Sequence, residues 1–600
     1  MLLFDHLARD ARHALRTISR MPLLAAVVIV SLGIGIGVNV VVFSWLQAVV
    51  LQPLPGVAHA RDLVFVEPRS EAGTYPGVSW QEYEDLRDRL RTFDSLIASR
   101  MVPFNVGEPS QNERIYGQLV SGNYFSGLGL TPSAGRFFRA DEVSRSASDF
   151  VMVVSHGLAL TRFGSAAAAI GKSLRVNDRE VAIVGVAPEH FQGTVLGLDF
   201  SMWIPATAAP SLLAGSRELD SREVRGYAAL GRLAAGATQV QAQAELEGAM
   251  RELARTYPTT NGSVTGRVMS FWSAPRGPQS MITGALAALQ GIMLLVLLAV
   301  CGNTANLMLA RASTRQREVG VRVALGAGRA RIVSVLLAEN VVMALGGGLL
   351  GAALASWGTN AIRAVPFIGS FPIRFQTHVD ALGILVAAAL ALVCGVLVGL
   401  PPALQLAGIE PQRALRNSSR TLSRSRMRTL LMGTEVALAL IVLLVGGLFY
   451  RGLTETREID TGFRRAGVLL AAYDLTGRDT SNGGARDFAG RLLARLSALP
   501  GIESAAIATS VPLDIHGLPL RSFRIEGHAR PDGQPERALS MTVSRGYFAT
   551  MSIPLVEGAD FADFAAPEDQ AQVIVNEEFV RRFAATGTPL GRRVQNGDRT

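Results

Sequence analysis

Five times along this chain apolar residues run without a break for about the thickness of a membrane, and between the runs the pattern turns to short alternating and helix-spaced segments. A hydrocarbon core about 30 Å thick needs roughly 20 residues of apolar helix. Residues 23–50, 281–310, 332–358, 381–406 and 430–450 meet that length. The first lies in a stretch, Met21–Ala60, free of Asp, Glu, Lys and Arg; Glu339 stands near the start of the third, and Glu435 one to two turns into the fifth. Residues 51–280 mix strand-like runs (Asp62–Val66, Val151–Ser155, Val181–Val186) with helical ones. In Thr238–Tyr257 the apolar Val240, Ala244, Leu246, Met250 and Leu253 are roughly helix-spaced, so an α+β domain is predicted. Residues 3–20 put Leu3, Leu7, Ala11, Leu15 and Ile18 at helical spacing, which suits an amphipathic helix on the inner leaflet or an extension of the first span.

The polar segments repeat. GNYFSGLGLTPSAGRFF at 122–138 matches RGYFATMSIPLVEGADF at 545–561, pairing Tyr124 with Tyr547, Phe125 with Phe548, Gly135 with Gly558 and Phe138 with Phe561. Farther on, Arg162-Phe163 pairs with Arg582-Phe583 and Gly171 with Gly591. A near-constant offset with one small deletion is the mark of a duplication, and an apolar span precedes each copy. The second copy, 451–600, is expected to be incomplete, the whole protein having eight spans.

Composition sharpens the membrane reading: 49% of residues are hydrophobic and 18% charged, too apolar for an ordinary soluble enzyme of this size. The net charge of +9 does not point to nucleic acid, because Lys172 is the one lysine and the arginines gather beside the apolar runs. Four (Arg9, Arg12, Arg16, Arg20) precede the first span, six (Arg311, Arg315, Arg317, Arg322, Arg329, Arg331) lie between the second and third, and six (Arg413, Arg416, Arg420, Arg424, Arg426, Arg428) between the fourth and fifth. Only Arg363 and Arg374 separate the third from the fourth. The positive-inside rule then places the N-terminus in the cytoplasm and residues 51–280 and 451–600 outside. Cys301 and Cys394 both lie in apolar runs, which excludes a disulfide scaffold.

Catalytic and ligand motifs fail on inspection. Gly171-Lys172-Ser173 lacks the earlier glycine of a phosphate loop, that position being Ala166. Gly33, Gly35 and Gly37 fall in a span, where close helix packing is the natural reading. Asn39, Asn303 and Asn306 are expected to hydrogen-bond between helices, and Glu339 and Glu435 to pair with nearby arginines. His156 and His190 lack metal-ligand spacing, and no Ser/His/Asp set has local support. No catalytic, cofactor or metal site is expected.

Cys301–Gly351 resembles the signature region of MacB/FtsX-type ABC transporter permeases. Asn303, Asn306, Leu307, Leu309, Ala310, Arg311 and Ala312 match the run that ends one span, and Arg317, Glu318, Arg322, Ala324, Leu325, Gly326 and Ala327 match the loop that meets the ATPase. Leu32–Trp45 is similar to the family's first span, and the duplicated arrangement to the orphan permeases of acidobacteria. The resemblance implies an α-helical transmembrane protein with α+β periplasmic domains of the MacB-like periplasmic core type. In that arrangement residues 1–22 are a cytoplasmic segment, 51–280 the first periplasmic domain, 311–331 a cytoplasmic coupling segment, 359–380 a short periplasmic loop, 407–429 a cytoplasmic linker and 451–600 the second periplasmic domain. It implies a bacterial inner-membrane permease without a nucleotide-binding domain of its own. Arg315, Arg317, Glu318, Arg322, Ala324, Leu325 and Gly326 would contact a separately encoded ATPase dimer that binds the ATP. A periplasmic adaptor or outer-membrane component would be a further partner. The rival readings are an ATPase-less sensor or scaffold, and a secondary transporter, which would need charges along an intramembrane pathway.

Overall fold

The computed structural model describes the chain apart from residues 1–13, 15, 17, 52, 53, 55, 58, 71, 72, 75, 76, 109–111, 146–148, 214, 272–278, 317, 318, 320, 322–327, 365–376, 408–425, 474, 476–481, 513–519, 528–534, 562–571, 584–589 and 597–600. Most of the N-terminal amphipathic segment and most of the linker 407–429 lie outside the described residues. Two compact units form, one of Met1–Pro53, Val195–Leu198 and Pro275–Glu458, the other of Leu54–Thr194, Asp199–Ala274 and Ile459–Thr600.

Among the described residues the first unit has five helices long and apolar enough to cross a membrane: span 1 (Pro22–Leu51), span 2 (Ile282–Ala312), span 3 (Arg329–Ala361), span 4 (Ala381–Ala407) and span 5 (Thr429–Glu458). Pro22 opens span 1, where its missing N–H would have had no helical partner. Small residues decide how closely the helices approach. A Cβ on Gly33 would lie 2.9 Å from Leu350 Cδ2, and one on Gly37 would lie 3.0 Å from the Gly351 carbonyl oxygen. Spans 1 and 3 therefore meet backbone to backbone, the close packing expected of that glycine series. Half of the most apolar window of span 1 is buried but only 6% of that of span 5, which packs principally on span 2.

In the second unit, residues 63–270 build one mixed sheet. Its principal strands are β1 (Leu63–Ser70), β2 (Phe93–Val106), β3 (Glu113–Val120), β4 (Val151–Val154), β5 (Ser173–Val176), β6 (Arg179–Val186), β7 (Met202–Pro205), β8 (Arg225–Leu233) and β9 (Thr265–Ser270). The order is β9-β1-β8-β2-β3-β7-β4-β6, with β5 pairing both β2 and β6. The β7–β3 and β4–β6 pairs are parallel and the others antiparallel. Helix α1 (Trp80–Arg89) starts in a capping box, Ser79 Oγ accepting from the Glu82 amide. Glu82 is also bound by Arg225 at 2.5 Å and by the Asn261 amide at 2.9 Å, so this fully buried carboxylate ties α1 to β8 and to the turn before β9. Then come α2 (Tyr124–Gly127), α3 (His156–Phe163) and α4 (Gln239–Thr256). The buried face of α4 is Ala242, Leu246, Ala249, Met250 and Leu253. Val240 is 79% exposed, so the stripe that buries the helix starts two residues later than the spacing suggested.

Residues 459–596 rebuild the middle of that domain. Helix α5 (Asn482–Ser497) precedes β10 (Leu520–Ile525), β11 (Glu536–Leu539), α6 (Tyr547–Thr550), α7 (Glu577–Phe583) and β12 (Val594–Asn596). The sheet order β11-β10-β12 reproduces β3-β2-β5. The pairing Phe523↔Asn596 repeats Val106↔Val176. At the turn into α2 the Ala98 amide donates to Ser121 Oγ at 3.0 Å and the Ser121 amide to the Ala98 oxygen at 2.9 Å. Into α6, Ile507 and Ser544 exchange the same two bonds at 2.9 and 2.8 Å. The Tyr124–Phe125 rings stand 5.2 Å apart at 87°, and Tyr547–Phe548 5.6 Å apart at 87°. Gly135 and Gly558 both have left-handed φ, +70° and +89°. The duplication read from the sequence is a duplication of structure.

Candidate functional site

Span 2 belongs to a continuous helix, Gln279–Thr314, whose last turns carry Arg311 and lead into the basic coupling segment. Arg315, just past that helix, donates from Nη1 to Glu339 Oε2 of span 3 at 2.8 Å, with 18% of the arginine and 7% of the glutamate side chain exposed. This is the arginine pairing expected for Glu339. Arg317 and Glu318 follow Gln316; these, with Arg322, Ala324, Leu325 and Gly326, lie outside the described residues. Val319 is described and buried, its amide donating to the Arg315 oxygen at 3.0 Å. It packs with Ala312, Ile332 and Leu406, so one apolar residue of the segment seats it on the ends of spans 2, 3 and 4. Sequence reading attended to the cations and passed over Val319; its signal was an apolar position seven residues after Ala312, two helical turns on.

A small cavity opens beside this contact, lined by Arg311, Arg315, Glu339, Asn340, Met308 and Met343 among others. Asn340 is 6% exposed and donates to the Leu336 carbonyl at 2.8 Å. Farther along span 2 two more polar ties appear. Asn39 of span 1 is 1% exposed, donates to the Met293 oxygen at 2.9 Å and accepts from Gln290 Nε2 at 2.9 Å. Asn306 donates from Nδ2 to Glu435 Oε2 of span 5 at 3.1 Å. Asn39 and Asn306 thus bond between helices as expected, Asn303 faces outward, and Glu435 takes an asparagine where an arginine was expected. At the other end of the bundle Gln47 donates to Asp380 at 2.7 Å, while Asp380 accepts from the Gly383 amide at 2.9 Å and caps span 4. Among the described residues no group of three or more His, Cys, Asp or Glu could hold a metal ion.

Comparison with known proteins accounts for these features together. Residues 25–249 match the MacB-like periplasmic core domain, and residues 291–411, which contain Asn306, Arg315 and Glu339, match the FtsX-like permease C-terminal domain. The chain belongs to the MacB/FtsX-type ABC permeases. This permease is 29% identical over 309 residues to the macrolide export ATP-binding/permease protein MacB of Burkholderia cenocepacia, covering 50% of this chain and 41% of that one. It is 26% identical over 376 residues to MacB of Escherichia coli K12, covering 59% and 54%. The permease therefore spans about half the length of the curated relatives it matches. Among solved structures it is similar to the periplasmic region of MacB from Actinobacillus actinomycetemcomitans, at 12% identity and a TM-score of 0.28, covering 39% of this chain and 94% of that one. The extracellular domain of the ABC-type transporter YknZ from Gram-positive bacteria matches at 15% identity and a TM-score of 0.26, covering 34% and 100%. A membrane permease with a MacB-like periplasmic core domain and an FtsX-like permease domain is what the family matches show.

Proposed function

We propose that this permease passes the movement of a separately encoded ABC ATPase dimer, through residues 311–331, to its α+β domains on the far side of the inner membrane, with efflux or mechanical force as the output. The observation that carries the reading is the seating of the coupling segment: Arg315 is ion-paired to Glu339 in a largely buried setting, and Val319 is buried between the span ends. Removing one partner of a buried ion pair costs about 3–5 kcal/mol, so the segment is stiffly joined to span 3 and a push on one moves the other. ATP is bound by the partner, and Arg317, Glu318, Arg322, Ala324, Leu325 and Gly326 supply the surface it meets, with Arg315 as the inner end of that surface.

The test is reconstitution with the candidate ATPase in lipid. The wild-type permease is expected to stimulate hydrolysis, and Glu318→Ala with Arg322→Ala to lower that stimulation several-fold while the protein stays inserted. Unchanged stimulation by the inserted double variant would sink the proposal.

A further inference from the structure

Within the apolar stretches of the five spans stand two acidic residues, Glu339 in span 3 and Glu435 in span 5. Both are held from the same part of the chain: Asn306 of span 2 reaches Glu435, and Arg315, just past the end of that helix and nine residues on, reaches Glu339. Glu339 belongs to the first repeat and Glu435 to the span that opens the second.

The two contacts are not equivalent in what surrounds them. Span 3 is fixed independently of Arg315, since its glycines lock against span 1 at Gly33 and Gly37. Span 5 packs principally on span 2 and has 6% of its apolar window buried; a Cβ added at Gly433, Gly446, Gly447 or Gly452 would meet nothing within 4 Å. Apolar side chains do not distinguish a neighbouring helix from lipid tails, so in a bilayer such a face has little to hold it in one place. A carboxylate in hydrocarbon does, because leaving its amide partner exposes it.

We infer that Glu435 is a positioning residue, fastening span 5 to span 2 through the Asn306 amide and so making span 2 the shaft common to both repeats. A displacement entering at Arg315 then reaches the second repeat directly, without passing through spans 3, 4 or the linker. That consequence rests on the function proposed above; the fastening itself does not.

The experiment uses the full chain in lipid nanodiscs, with Cys301 and Cys394 replaced by Ala and spin labels at Gly302 and Gly433, where a Cβ has open space. In the parent a single narrow distance between the labels is expected. Glu435→Leu and Asn306→Leu should each broaden and lengthen it, with a roughly three- to twentyfold fall in the ratio of docked to displaced populations, the range intramembrane hydrogen bonds support. Glu435→Gln, which still accepts from Asn306, should restore the parent distribution. An unchanged distribution in both leucine variants, or equal damage by Gln and Leu, would overturn the inference. ATPase stimulation by the same proteins separates the two claims. If the parent fails to stimulate, the proposed function falls while the distances still decide the fastening. If the parent stimulates and Glu435→Leu does so equally, the shared-shaft role falls.

Discussion

Around Tyr124 the backbone corner of the first α+β domain closes on a polar network that bonds the tyrosine hydroxyl, whereas around Tyr547 the same corner encloses a hydroxyl with no acceptor among the described residues. Tyr124 donates within reach of both Gln118 Oε1 at 2.9 Å and Thr194 Oγ1 at 3.2 Å, and Trp203 Nε1 donates to the same Gln118 oxygen at 2.9 Å. The residue at the place of Gln118 in the second copy is Met541, whose thioether accepts only weakly. Tyr547 is 4% exposed and its hydroxyl has no partner among the described residues. Burial raises the pKa of both phenols, so both stay protonated. What the duplication kept is what the backbone needs: the serine that bridges to the preceding strand, the Tyr-Phe pair and the left-handed glycine. What diverged is the polar chemistry laid over that frame.

The largest difference between the copies is expected at the glycines. An alanine at either Gly135 or Gly558 carries the left-handed cost of about 1–2 kcal/mol. Gly135→Ala also drives its Cβ to 2.4 Å from the Val184 carbonyl oxygen, a backbone atom, adding about 1–3 kcal/mol of overpacking. Among the described residues Gly558→Ala meets only Leu590 Cδ2 at 3.2 Å, the end of an exposed side chain. Hydrogen exchange of the intact protein should therefore show protection collapsing at residues 133–136 and 184–186 for Gly135→Ala, with a much smaller loss around residue 558. Equal losses would mean that the first domain is no more tightly built than its copy.

A smaller contrast lies in the hydroxyls themselves. Tyr124→Phe removes a bonded donor and should cost about 1 kcal/mol, while Tyr547→Phe removes a buried, unsatisfied one and should be neutral or stabilising. Exchange at Ser121 and Ser544, the serines that bridge each corner, reads the two sites side by side. Destabilisation of similar size at both would show that Tyr547 is bonded after all.

These contrasts also mark what could be read ahead of the structure. The Tyr-Phe corner, the glycines and the spans were legible because each is written locally, in a period or in residues a few apart. Partners were not. Glu435 lies 129 positions from Asn306, and sequence offered nearer arginines with stronger charge, yet helix packing brought the amide. The sheet order β9-β1-β8-β2-β3-β7-β4-β6 joins strands from both ends of the domain, which no alternation pattern specifies. For the coupling segment, the pattern gave the charged surface but missed Val319, because burial there depends on the ends of spans 3 and 4 converging on one residue.

The smallest expected effect is a pH dependence present in the first domain alone. Arg136, next to the left-handed Gly135, grips Glu142 at 2.8 and 2.5 Å, and the Arg139 amide donates to the same carboxylate at 2.9 Å. The Arg136 bond, reinforced by that amide, holds the Glu142 carboxyl below the usual range. The second copy has Ala559 at the place of Arg136. A carboxyl whose pKa is depressed by folding contributes stability that is fully present above its unfolded value, about 4.3, and is lost as pH falls through the folded value. Arg136 is 36% exposed, so screening holds the contribution to about 1 kcal/mol or less. Lowering the pH from about 6 toward 3 should therefore loosen residues 136–142 more than residues 559–561, and Glu142→Gln should remove that part of the acid sensitivity while weakening the segment at neutral pH. If the variant's exchange at 136–142 kept the wild-type dependence on pH, the Arg136–Glu142 grip would not be its source, and the contrast between the copies would rest on glycines and hydroxyls alone.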